Sequence, residues 1–552
     1  MKRIVILVAA LAMLLVAASR ADEATLWGHW PLAGDANDHS GHHRHAAVRG
    51  PVDFSAAGPA GASRTAAAFN GRDTLLEVPP ADAASQGDFS LAAWVYTDAA
   101  LDDVPGDMVS CYQPARRRGF HLSLKNNAGV ANSQANDRQL TFGIDDNRET
   151  TWTDCGRPGN AILAFALTVH DGALYAGTCE PGANQSGRVY RLDGAAKWID
   201  CGAPDRANAV TAMATLDGQL YAGTGKYRLA GSALTESPNE TLGGGIYRYD
   251  GEGRWTDCGR LPGVEAIGGM VVYRGQLYAS SLYRPAGFFR YDGGTAWTDC
   301  GTPGKRVEAL GVFNGYIYAT SYDGGLVFRY DGSTWTDCGQ LGSAEENTQT
   351  YSFAVYQGRL FVGTWRTGRV YRFEDLGRWT DVGRLGEELE VMGMLVHNGR
   401  LLAGTLPLAE VYSYEGDTTW RRLARLDHTP DVRYRRAWTM AEFAGRVFCS
   451  TLPTGQVYSY EAGQNVSWDH AFPAGWHHVA AVRAGDRLRL YIDGRQASES
   501  SPLTGPAIDL KCDSPLRIGF GANDYFKGRL ADVRLYRGAL SAADIQQLSR
   551  KR

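Results

Sequence analysis

The sequence has no excess of positive charge: 56 Lys and Arg face 60 Asp and Glu, a net charge of −4. It therefore lacks the basic field that would hold nucleic acid or an anionic membrane. Lysine is scarce, 8 of the 56 cations, and the dominance of arginine is the bias of a GC-rich genome rather than a phosphate-binding pattern. Long apolar runs are also missing. The single run, Ile4 to Ala18, falls short of the ~20 residues that a comfortable membrane span needs. Proline is not in excess, but glycine is, at 67 of 552 residues or about 12% against a usual ~7%. Many tight turns follow, which excludes a helical bundle and points to an all-β chain.

Residues 1–21 read as a signal peptide: the basic start Met1-Lys2-Arg3, the apolar run, then small residues around Ser19-Arg20-Ala21. No cysteine follows to take a lipid. The mature chain is thus expected to be exported and soluble, either secreted or held in the periplasm or at the cell surface. Export permits disulfides, so the nine cysteines are read by position. Cys155, Cys201, Cys258, Cys300 and Cys338 share one repeated slot, Trp-x-Asp-Cys-Gly. Equivalent slots of a repeat array lie a whole unit apart, beyond the ~7 Å Cα limit of a disulfide, so these five are expected to be small buried apolar side chains. Cys111 pairs with Cys512 only if their strands are neighbours, and an unpaired reading stands beside it.

Trp152, Trp198, Trp255, Trp297, Trp335, Trp379 and Trp420 recur at spacings of 46, 57, 42, 38, 44 and 41 residues. That is the length of a four-stranded propeller blade, ~40–50 residues. Each unit opens with a hairpin whose turn ends in Gly: Asp171-Gly172, Asp217-Gly218, Arg274-Gly275, Asn314-Gly315, Gln357-Gly358, Asn398-Gly399 and Ala444-Gly445. In the third unit the strands are expected at 266–273, 276–280, 288–292 and 297–300. The fourth-strand copy at Trp152 to Gly156 precedes any complete unit. It is expected to pair with Val457 to Glu461, completing the seventh blade and closing the ring so that no strand edge is left exposed.

The flanks, 22–149 and 468–552, carry alternating strand patterns with turn punctuation, and neither alone can close a sandwich. They contain Leu26-Trp27-Gly28-His29-Trp30, Phe69-Asn70-Gly71, Phe89 to Val95, Trp476 to Val482, Leu488 to Gly494 and Gly528 to Tyr536. In this order they resemble a laminin-G-like, concanavalin A-like jelly-roll domain. The centre, 150–467, resembles propellers of the kelch and sialidase types, with units such as Tyr330-Asp331-Gly332-Ser333-Thr334-Trp335. The expected fold is all-β, a jelly-roll sandwich interrupted by an inserted seven-bladed β-propeller, because a closed ring returns its two ends to one place.

The resemblance implies a lectin-like or adhesion module rather than a glucanase, since neither flank has a Glu-x-Asp-x-x-Glu run. Relatives of this sandwich often hold a structural Ca²⁺. Asp35 and Asp38 near its start and Asp532 near its end are the candidate ligands, the alternative being turn caps and an ion pair with Arg. His39, His42, His43 and His45 match no closed zinc motif. In the propeller, Arg191, Arg248, Arg290, Arg329 and Arg372 share one third-strand slot and, spread around a ring, cannot converge on a substrate carboxylate. They are expected to pair from blade to blade with Asp of neighbouring repeats.

The first-hairpin turns are uniform, whereas the connections on the opposite face vary from Tyr322-Asp323-Gly324 to the long Gly225–Gly245 loop. Binding groups concentrate on such variable loops. Trp365, Tyr322, Tyr283, Tyr227, Arg228 and Arg366 are the candidate ligand contacts there, as aromatics beside Arg suit a sugar ring or a peptide. The connections entering the blades add Glu265, Glu308, Asn347 and Glu390. Against this stands the reading that Leu282, Leu406 and Leu452 plug the channel and Trp365 covers them. The function expected is an exported binding protein for an extracellular glycan or a surface protein. No catalytic residue is assigned, no nucleic acid is expected as partner, and no cofactor beyond calcium. The alternative is a polysaccharide-active or sialidase-like propeller hydrolase or lyase that the sandwich targets.

Overall fold

The computed structural model describes residues 24–61, 63–80, 87–127, 133–511 and 513–550. The expected signal peptide and Cys512 lie outside the described residues. Among those described, no helix is long and apolar enough to cross a membrane.

The centre forms seven four-stranded antiparallel units. In the third, the strands are Ile267–Tyr273, Gln276–Ser281, Phe288–Gly293 and Ala296–Asp299. In the seventh, Arg436–Phe443, Arg446–Leu452 and Val457–Tyr460 are joined by Thr153–Asp154 from the start of the propeller. Thr153 faces Ser459 and Asp154 faces Tyr458, which is the expected closure.

The Trp-x-Asp-Cys-Gly slot fastens one blade to the next. The indoles of Trp198, Trp255, Trp297 and Trp379 donate to the carbonyls of Cys155, Cys201, Cys258 and Cys338 in the preceding blade, at 2.8–3.0 Å. Trp335 shifts by one residue and donates to Gly301. The Asp of the slot accepts the amide of its own Gly, as in Asp257 with Gly259 at 2.7 Å. Gly259 adopts φ +99°, and a Cβ there would stand 2.4 Å from the carbonyl oxygen of Thr295. Only glycine lets the neighbouring blade approach so closely. Four of the five cysteines of the slot are buried, and Cys300 is half-buried.

The third-strand arginines do not pair between blades. Arg248 binds Asp250, Arg290 binds Asp292 and Arg372 binds Glu374, each two positions along its own strand. Arg329 instead lies over the Tyr316 ring. Side chains at i and i+2 share one face of a strand, so the acid needed was adjacent in sequence.

Both sheets of the sandwich mix strands from before and after the propeller. One has the order Asp53–Ala57, Thr65–Asn70, Lys527–Arg537, Phe89–Thr97, Gly475–Ala484, Arg487–Ile492, Arg495–Glu499, with Thr25–Trp30 also on Lys527–Arg537. The other runs Ala47–Arg49, Leu75–Pro80, Pro515–Ile518, Gly106–Gln113, Arg118–Asn127, Asn136–Glu149, Ala462–Ala471. Trp30, Phe89, Phe120, Phe142 and Leu535 fill the core between them. The propeller leaves and re-enters through neighbours, because Asn136–Glu149 pairs with Ala462–Ala471. Ala462–Ala471 is thus a sandwich strand, and the return begins six residues before the expected 468.

The seven hairpin turns all have positive φ at both central residues, the conformation that follows the twist of a hairpin. Six of them hydrogen-bond to the sandwich. The amides of Gly172, Arg274, Gly315 and Gln357 donate to the carbonyls of Asp469, Leu101, Asp102 and Ala522 at 2.7–3.0 Å. The Asn398 amide group reaches the carbonyls of Ile144 and Ala462, and Ala444 donates to the Asp469 carboxylate. Charged groups are buried in the same contact. Arg400, fully enclosed, binds Asp145 at 2.7 Å and Glu149 at 2.5 Å. Lys125 of the sandwich lies 3.0 Å from Glu442, which also binds His397 at 3.0 Å. Burial alone would raise the Glu442 carboxyl, but Lys125 and His397 hold it at about 2.

Candidate functional site at the free mouth of the propeller

With one propeller face docked on the sandwich, the variable-loop face is the one left open. The channel beneath it is plugged. Leu282, Leu406 and Leu452 are buried with Phe165 and Trp438, and Tyr322, Tyr351, Trp365 and Tyr434 pack on this cluster. The plug is set by the innermost strands: Phe165, Glu308, Tyr351 and Trp438 each stand six positions before the first residue of their hairpin turn. Repetition of the blade therefore brings them to one ring of positions.

The expected contacts divide into three groups. Tyr227 belongs to the plug: it is 8% exposed, its hydroxyl is bonded to Ser232, and its ring meets Phe165 at 4.8 Å. Tyr283 and Tyr322 are half-buried and already paired with arginines. The Arg228 guanidinium lies 4.6 Å over the Tyr283 ring, and that of Arg306 lies 5.3 Å over the Tyr322 ring. Asp323 ties Arg284 to Arg306, each at 3.0 Å. Trp365 is half-buried, edge-on to Tyr434 at 5.9 Å, with Arg366 exposed beside it. The long loop after Gly225 is held by Lys226, whose ammonium donates to the Ser237 and Asn239 carbonyls, and it lays Leu229 into the plug.

Polar groups lie under the rings. Glu390, cross-strand from Trp365, is 2% exposed, Glu308 3% and Arg436 6%. Burial pushes the Glu390 carboxyl up to about 7, against the pull of Arg436 and Tyr351. Burial likewise lifts Glu308 well above the usual carboxylate range. Arg436 is flanked by the Tyr434 and Trp438 rings at 5.8 and 5.6 Å. Glu308 and Glu390 were visible in the sequence as blade-entering residues, whereas Arg436, Tyr351, Tyr434 and Trp438 were not singled out. The slot six positions before each hairpin turn was the signal that would have found Tyr351 and Trp438.

The calcium candidates do not form an ion site. Asp38 accepts the amides of His29, Ser40 and Arg44 and the Ser40 hydroxyl, at 2.8–3.0 Å. Burial opposes ionisation, yet these donors draw its carboxyl down to about 2. Asp532 binds the His29 imidazole at 2.6 Å and the Arg534 guanidinium at 2.9 Å, and Asp35 accepts from Asn37. Calcium needs six to eight free oxygens, and these oxygens already face N–H and O–H donors, so the donor set does not fit the ion. Among the described residues, no group of three or more His, Cys, Asp or Glu is arranged to hold a metal.

A model of the concanavalin A-like lectin/glucanase superfamily (laminin G type) matches residues 441–546. It thus covers the returning half of the sandwich together with the end of the last blade. No protein of curated function matches the chain. Solved structures similar to it include a streptogramin B lyase, with 10% identity and TM-score 0.44 over 57% of this chain and 98% of that one. A catalytically inactive virginiamycin B lyase from Staphylococcus aureus with quinupristin gives 11%, TM-score 0.40, 56% and 99%. BamB from Moraxella catarrhalis gives 12%, TM-score 0.35, 68% and 97%.

Proposed function

We propose that the chain is an exported, lectin-like binding protein that holds an extracellular glycan or a surface protein at the free mouth of its propeller. One observation carries this reading. Six hairpin turns are docked on the sandwich, so among the described residues the loops that differ in length from blade to blade surround the propeller face that the sandwich does not cover. Trp365 and Arg366 are among its aromatic and cationic groups that reach the surface, with Arg228 and Arg284 also exposed. An indole held on a packed plug offers a rigid platform for a sugar ring or an apolar side chain. The laminin-G-like half supports the extracellular setting.

A glycan array and a surface-protein capture with the mature chain test this, each repeated with Trp365→Ala. Loss of the bound partner with an unchanged melting temperature supports the mouth as the site. A variant that binds normally, or one that melts much lower, makes Trp365 part of the plug and removes the reading.

A second reading is favoured by the carboxyls of Glu308 and Glu390, which burial raises above the ordinary glutamate range, the direction an acid catalyst of glycan cleavage uses. They lie beneath the rings, so a substrate reaches them only if the plug opens. Polysaccharide cleavage by the wild type that is abolished in Glu390→Gln would establish it.

A further inference from the structure

Docking of the propeller on the sandwich is incomplete at one blade. Among the described residues the turn Asp217-Gly218 of the second blade has no hydrogen bond to the sandwich, and nothing stands within 4 Å of a Cβ placed on Gly218. The gap is a cavity of about 270 Å³ between the first two blades and the sandwich edge. That edge is formed by Asn136–Glu149 and Ala462–Ala471, whose register slips between Trp468 and Ala471. Such a bulge re-aims side chains, and here Trp468 and His470 both line the cavity, with ring centroids 5.2 Å apart.

The lining has a defined chemistry. Gln139 and Thr215 are 2% and 6% exposed, and Gln139 Oε1 and Thr215 Oγ1 have no partner within the protein. His470 gives Nδ1 to Asp171 at 3.0 Å. Asp469 accepts from Gln139, Ser467 and Ala444, which meets its hydrogen-bonding needs within the protein. Asp137 is touched only by a long 3.3 Å bond from Gln134. Val169 completes an apolar wall. A carboxylate acceptor at Asp137 beside the Trp468 indole suits a ring bearing hydroxyls. Among the described residues no Lys or Arg lines the cavity to hold an anion. Its volume sits just below the ~300–1,000 Å³ of drug-sized sites, which limits the occupant to one ring.

We propose that this junction is a second binding site, taking a single neutral pyranose unit of a glycan between sandwich and propeller. The site is separate from the mouth and does not depend on it. Trp468 supplies the platform, and Asp137 receives a hydroxyl group.

The test uses the full chain and four probes, the methyl glycosides of glucose, galactose, mannose and N-acetylglucosamine, followed by saturation-transfer NMR and calorimetry. At least one is expected to bind saturably with millimolar affinity, as befits so few contacting atoms. Trp468→Ala should weaken it at least roughly tenfold. Since Trp468 also packs on the sandwich core, the double variant Asp137→Asn/His470→Ala is the second arm, and it should weaken binding while keeping the melting temperature. No saturable binding of any of the four, or binding that persists in the double variant, overturns the proposal. The Trp365→Ala experiment addresses the mouth alone, so the two sites can fail separately.

Discussion

The two faces of the propeller are built from the same repeat and behave in opposite ways. On the docked face every blade ends in a two-residue turn, and six such turns meet the sandwich, five through backbone amides and one through the Asn398 side chain, beside buried ion pairs. On the open face the loops differ in length, and their rings and arginines stack on each other over a plugged channel. A uniform set of turns is thus compatible with burial against a partner surface, since each presents the same short backbone edge. Variable loops escape that constraint and are where recognition groups can change without disturbing the ring.

The largest effect expected on this contrast comes from the docked face. Arg400→Ala leaves Asp145 buried without its guanidinium, so stability should fall by about 3–5 kcal/mol, read as a lowered denaturant midpoint. A variant within about 0.5 kcal/mol of wild type would mean the junction is not tightly closed. Within the ring, Gly259→Ala meets both a positive φ and the Thr295 carbonyl. It should cost about 1–3 kcal/mol, whereas Gly301→Ala, with open space around it, should cost less. On the open face, Trp365→Ala should weaken partner binding by about 1–3 kcal/mol and leave the unfolding midpoint in place.

Acidity sharpens the comparison further. Glu390 has its carboxyl raised to about 7 in the folded chain, so the folded state holds its proton longer than the unfolded state. Stability from that group is full below the ordinary glutamate value and is lost as pH rises through about 7. Wild type should therefore lose stability relative to Glu390→Gln across that window, and parallel pH profiles would contradict the assignment. Glu442, held at about 2 by Lys125 and His397 despite burial, has the opposite sign. Its contribution should fade only as pH drops below the ordinary glutamate value. The smallest effect is expected from chelation: with Asp38 and Asp532 saturated by donors, excess chelator should leave the melting temperature unchanged.

Much of the architecture was legible because it is periodic. The seven recurring tryptophans counted the blades and the displaced first copy at Trp152 located the closing strand, since a repeat that runs one ahead must complete its ring from the other end. What the slot does was not legible: an indole donating to a cysteine carbonyl one blade earlier is a contact over 43 or 54 residues with no local signature. The docking face was equally hidden, because Asn398-Gly399 and Asp217-Gly218 look alike in sequence although only one meets the sandwich. At the mouth, sequence reasoning found Trp365 and Glu390 from their loops. It could not see that Arg228 and Arg306 lie on the rings of Tyr283 and Tyr322, nor that Tyr227 is inside the plug.

Hydrogen exchange of the intact chain tests the contrast between the faces most directly, because amide protection reports which turns are closed. The account predicts slow exchange at Gly172, Arg274, Gly315, Gln357, Ala444 and Gly445, which donate to the sandwich, with rapid exchange at Asp217-Gly218 and in the mouth loops. Exchange at those six amides as fast as at Asp217-Gly218 would contradict it.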